Sequence, residues 1–241
     1  MKEDCISIHI VLLGTQLHLS TIKKLYTYHS DLFRIKSTSS IATLPETDLS
    51  CWSYSKKVIS SLLEESKYDA DITIAIIENR IEGNYFTRRL SDKNLVLTFY
   101  EAETILRDAN IDLFNYLLIT IYKTITIYRF SNNVLSEDSS KFVHDETRSC
   151  IFDMLGNKYD LVYSTSNACL CQQCEAYSEK IDLPFNYITT LKKELKKIRK
   201  TRYTRLTDFI KQKPIISLII TAIFSVILNV LSCYIFELLF K

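Results

Sequence analysis

The feature that most restricts this chain lies at its C-terminal end, where Ile215–Phe236 runs for 22 residues without a formal charge. At 1.5 Å rise per residue, such a helix spans roughly 33 Å, against about 30 Å of bilayer hydrocarbon. A buried helix of a water-soluble domain rarely runs that far uncharged. Pro214 suits a first helical turn, where no amide donor is needed. Residues 214–240 therefore read as one transmembrane helix. The flanks set its direction: residues 191–213 carry ten basic and two acidic side chains, and Lys241 alone follows the helix. The positive-inside rule then places the N-terminal side in the cytosol. On this reading the chain is a single-pass, tail-anchored membrane protein with lipid as one partner.

Residues 1–190 hold 19 Lys+Arg against 25 Asp+Glu, so the overall charge of +2 hides a basic stretch beside the apolar one. A nucleic-acid binder would spread its positive charge over a folded surface, and no nucleic-acid partner is expected. Placed next to a membrane span, the same charge faces anionic headgroups. Inside the span, Ser217, Thr221, Ser225 and Asn229 recur every four residues. They share one helix face, which in lipid favours packing against a second helix and predicts a homo-oligomer. Ser and Thr hydroxyls can instead bond their own backbone, which would leave the helix an anchor only.

The remainder reads as an α/β layer fold, a mixed sheet with flanking helices. Ile6–Leu13 and Ala70–Ile77 are largely apolar runs, as expected of strands buried on both faces. Further strands are expected near Leu32–Ile41 and Leu95–Tyr100. Helices are expected at Leu19–His29, Trp52–Ser66, Glu101–Asp108 and Leu113–Phe130. Residues 187–213 contain no Gly or Pro and read as a basic juxtamembrane helix. The expected organisation is a cytosolic domain at 1–175, a linker and basic helix at 176–213, and the membrane helix at 214–240.

Four of the seven cysteines, Cys150, Cys169, Cys171 and Cys174, fall within 25 residues, beside His144. In a cytosolic chain such clustering indicates metal before disulfide. Cys171-x2-Cys174 lets two thiolates converge on one tetrahedral zinc, and Cys150 lies one loop length upstream. The fourth ligand is left among His144, Asp145 and Cys169. Zinc in a set of this kind is structural.

This pattern resembles the archaemetzincins, compact α/β zinc peptidases of the metzincin type. Their signature is HExxHxxGxxH, then Cys-x4-Cys, then CxxC about twenty residues on. His144 fits its last histidine, Cys150 its second cysteine, and Cys171 and Cys174 its final pair; Asp145 stands at the first cysteine. The resemblance covers residues 5–175 and implies a metzincin-like sheet followed by a C-terminal zinc knuckle. The departure falls on the chemistry. Where HExxH is expected, the chain reads Val134-Leu135-Ser136-Glu137-Asp138, and no histidine occurs between His29 and His144. A zinc peptidase needs two histidines at i and i+4 and a glutamate to activate water. The expectation is a pseudoenzyme that keeps the structural zinc, with no catalytic residue assigned. Its zinc-stabilised domain would bind or sense an unidentified cytosolic partner or ligand. The alternatives are a membrane-anchored hydrolase or metallopeptidase with other catalytic residues, and a membrane-disrupting effector that oligomerises through its anchor.

Overall fold

The computed structural model describes residues 5–64, 68–135, 143–144 and 149–240, the last four of these by backbone only. The chain divides into two compact units, Met1–Arg199 and Lys200–Lys241.

The first unit is built on a five-stranded sheet. Its strands are β1 (Ile6–Leu13), β2 (Phe33–Ile41), β4 (Ile72–Ile77), β6 (Thr87–Arg89) and β7 (Asn94–Thr98). They lie in the order β2-β1-β4-β7-β6; the first four run parallel, and β6 closes the edge antiparallel to β7. Two short strands, β3 (Ser53–Tyr54) and β5 (Arg80–Ile81), pair separately.

Period-two alternation divides the apolar side chains between two cores. Ile6, Ile8 and Ile10 of β1, Ile72, Ile74 and Ile76 of β4, and Leu95 and Leu97 of β7 share one core. Val11, Leu13, Ala75, Ile77 and Val96 point to the other, where they meet Ile59 and Leu63 of α2 (Lys56–Glu64). Burial on both faces is why β1 and β4 are legible as largely apolar runs, interrupted only by Ser7, His9 and Thr73.

The larger core is covered by α1 (Leu19–Thr27), α3 (Ala102–Asp108) and α4 (Leu113–Phe130). The side chain of Asp112 caps α4 by accepting from the Phe114 amide at 2.9 Å. Apolar residues surround α4 on nearly all sides, so it is a central helix and carries no sharp amphipathic pattern. Its exception is a short polar face containing Thr120, Lys123 and Thr124.

Beyond α4 come α5 (Leu161–Ser166), α6 (Gln172–Ser178) and α7 (Tyr187–Leu195). The domain boundary therefore differs from the expected one at 175. Tyr187, Leu191, Leu195 and Ile198 are buried in the main core. Glu194, 3% exposed, accepts from Ser30 Oγ (2.7 Å), the Asp31 amide (2.8 Å) and Tyr122 Oη (2.7 Å). The lysines of this segment hide the apolar stripe beneath them, which docks on the domain.

The expected basic helix over 187–213 is two helices, since α8 (Arg202–Gln212) is separate and belongs to the second unit. No side chain of α8 is buried, and Tyr203, Leu206, Phe209 and Ile210 are exposed. Next comes α9 (Pro214–Phe240). Its Pro214–Phe236 stretch is long and apolar enough to cross a membrane, and none of it is buried, unlike the core helix of a water-soluble protein. Along the polar stripe, Thr221 Oγ1 donates to the Ser217 carbonyl and Ser225 Oγ to the Thr221 carbonyl, each at 2.9 Å. Two members of the stripe are thus satisfied within their own helix.

Candidate metal centre

The site is assembled by short connections. His144 forms a parallel bridge with Asp153, and Cys150 forms one with Cys169. Cys171 caps the N-terminus of α6, and Cys174 follows in the first turn. The Cys174 amide points at the Cys171 sulfur, 3.5 Å away. This knuckle brings two sulfurs together and leaves an amide to stabilise a thiolate.

The donor atoms of His144, Cys150, Cys171 and Cys174 all lie within 4.8 Å of one another. His144 Nε2 is 3.2 Å from Cys174 Sγ and 3.3 Å from Cys171 Sγ, and the Cys150 and Cys174 sulfurs are 4.0 Å apart. Tetrahedral zinc with Zn–S near 2.3 Å and Zn–N near 2.0 Å separates sulfurs by about 3.8 Å, and nitrogen from sulfur by about 3.5 Å. The cluster is therefore already near the size of a zinc coordination sphere. Its donor set, three soft sulfurs and an imidazole, suits zinc and is unsuited to hard cations. The electrostatics agree. A hydrogen bond from Cys174 pulls the Cys150 thiol down to about 5, while the same bond pushes the Cys174 thiol up. For all three sulfurs to ionise this close together, a cation would have to sit between them.

Of the residues expected at the site, His144, Cys150, Cys171 and Cys174 converge. Cys169 stands apart from the group, because its backbone pairs with the Cys150 segment and burial pushes its thiol up to about 11. Asp145 lies outside the described residues. A residue that sequence reasoning missed is Asp153, whose carboxylate meets His144 Nδ1 at 3.1 Å and accepts from the Cys150 amide at 2.9 Å. Its signal was its place three residues after a ligand.

Beside the cluster lies a cavity of about 530 Å³ that shares Cys150 and Asp153 with it. Helix α4 lines one wall with Thr120, Lys123, Thr124 and Ile127, residues spaced to share one face. The other three histidines lie elsewhere. His9 holds Ser37 and Ser39 with its two ring nitrogens, His18 pairs with Glu78, and His29 is exposed after α1. The segment expected to replace HExxH follows α4, with Val134 and Leu135 beyond its end and 136–138 outside the described residues.

No protein-family model matches the chain, and no curated protein matches it. Solved structures do. The structural neighbours are archaemetzincins. One, from Methanopyrus kandleri, aligns with a TM-score of 0.49 at 12% identity, covering 74% of this chain and 97% of its own. Another, from Archaeoglobus fulgidus in complex with malonate, aligns with a TM-score of 0.41 at 15% identity, covering 71% and 99% respectively.

Proposed function

We propose that the chain is a non-catalytic, tail-anchored membrane protein whose zinc-stabilised domain binds or senses a cytosolic ligand or partner. His144, Cys150, Cys171 and Cys174 are the zinc ligands, and the zinc is structural. The observation that carries this reading is the placement of the histidines. The sequence contains four, none spaced i and i+4 from another. The one beside the cavity, His144, is turned to three sulfurs, and four protein donors leave no open position for a reacting water. The cavity wall contributed by α4 carries no histidine, cysteine or carboxylate, and its Tyr116 hydroxyl is engaged with the Phe86 and Thr98 carbonyls.

The unburied apolar stretch Pro214–Phe236 supports the anchor, and the basic residues before it support a cytosolic N-terminal side. Metal analysis and peptide hydrolysis test the reading together. One zinc per chain and no hydrolysis of a peptide library are expected. A second zinc with peptidase activity would replace this reading with that of a membrane-anchored metallopeptidase.

A further inference from the structure

The cavity beside the zinc cluster is lined by five basic side chains, Lys56, Arg88, Arg89, Lys123 and Lys158, and one acidic side chain, Asp153. Asp153 is engaged by His144 and the Cys150 amide. Lys158 is engaged with Glu101 at 2.7 Å and lies over the Phe86 ring. Lys123 differs from these. It projects from the middle of the most buried helix, and no described residue gives it a hydrogen bond or ion pair. Burial, followed by the charge of Arg89, pushes its pKa down, against smaller opposing contributions from Cys150 and Asp153. Nearby, Arg88 carries a buried Nε without a hydrogen-bond partner, and its nearest carboxylate, Glu82, is 4.0 Å away. Asp153 is the one carboxylate among five basic side chains and is already engaged, so the half-buried Lys123 ammonium is matched to a further negative group from outside. The rest of the wall mixes polar residues, among them Asn84, Thr120 and Thr124, with the apolar side chains of Ile119, Ile127, Met154 and Leu155. A volume of about 530 Å³ suits a small organic molecule.

We propose that this cavity binds a small amphipathic organic anion, with its carboxylate or phosphate on Lys123 and its apolar body against Ile119, Ile127 and Met154. This names the ligand class for the binding role proposed above and rests on that reading.

The test uses the full chain in nanodiscs of neutral phosphatidylcholine and calorimetric titration with water-soluble probes. These are 4-phenylbutyrate, phenyl phosphate and the uncharged 4-phenylbutyramide. One of the two anions, at least, binds once per chain, and the amide binds roughly 10-fold or more weaker, the scale of one charge-assisted hydrogen bond. Lys123→Met lowers anion affinity to that of the amide while keeping its zinc, and Lys123→Arg retains the preference for the anion. Removing a half-buried charge beside Arg89 does not threaten folding, so the variant remains measurable. Equal binding of amide and anions would overturn the proposal, as would an anion preference surviving in Lys123→Met, or no binding of either anion. A failure of the underlying reading looks different: a second zinc and peptide hydrolysis.

Discussion

Asp153 ties two candidate zinc ligands to each other: one carboxylate oxygen stands 3.1 Å from His144 Nδ1, and the other accepts the Cys150 amide at 2.9 Å. The bond at Nδ1 leaves Nε2 free to face the sulfurs, 3.2 and 3.3 Å away. A carboxylate behind a ligating histidine fixes its tautomer and makes it more basic. Asp153→Ala therefore lowers zinc affinity by about 10–100-fold, measured by competition with a chromophoric chelator. Unchanged affinity would reduce Asp153 to a loop staple.

Removing a ligand has a larger effect. Cys171→Ser loses one thiolate and the sulfur that receives the Cys174 amide. Zinc content falls below one per chain and melting temperature drops with it, because binding free energy at such a site is folding free energy. Chelator treatment of the parent protein gives the same drop, and Cys171→Ser is then insensitive to chelator. A variant that melts like its parent and carries no zinc would separate the cluster from folding.

Glu194 sets the end of the first unit. It accepts three hydrogen bonds, from Ser30, Asp31 and Tyr122, at 3% exposure. Glu194→Ala leaves those donors unsatisfied and costs about 2–4 kcal/mol in denaturant unfolding. A fragment ending at Arg199 is expected to be folded and to stay in the supernatant with vesicles. One ending at Thr190 loses Leu191, Glu194, Leu195 and Ile198 and is expected to aggregate. Membrane pelleting of a folded 1–199 fragment would show a second membrane contact outside α9.

How much of this could be read in the sequence depended on whether one segment carried its own reason. Ile6–Leu13 and Ile72–Ile77 are apolar at most positions because both faces are buried, and no distant residue is needed to see that. The spacing Cys171-x2-Cys174 is equally local, since a knuckle needs only four residues. The choice of His144 over Cys169 was not local: it depends on which side chains the bridges at His144 and Cys150 turn inward. The burial of α7 was masked, because Lys192 and Lys193 within it and Lys196 and Lys197 after it dominate the composition, while Tyr187, Leu191 and Leu195 pack into the main core and Glu194 bonds residues 30, 31 and 122. The cavity was out of reach, since its lining is gathered from Lys56 to Ser164 across the fold. Lys123 by itself looks like one charge in a helix.

The apolar helix α9 is the subject of the last prediction. Thr221 and Ser225 already donate to carbonyls four residues back, so their hydrogens are satisfied without a partner helix. Of the stripe Ser217, Thr221, Ser225 and Asn229, this leaves Asn229 as the member most able to join two chains. Its amide carries two donors and an acceptor, more than one turn of its own helix can absorb. Interhelical bonds of this kind contribute about 0.6–2 kcal/mol in lipid. Asn229→Leu is therefore expected to weaken self-association about 3–30-fold without changing insertion. Ile220→Ala, off the stripe, changes it much less. Energy transfer between labelled chains in vesicles, at a series of protein-to-lipid ratios, compares the three. If parent and Asn229→Leu associate alike, the hydroxyl stripe serves its own helix and α9 is an anchor alone.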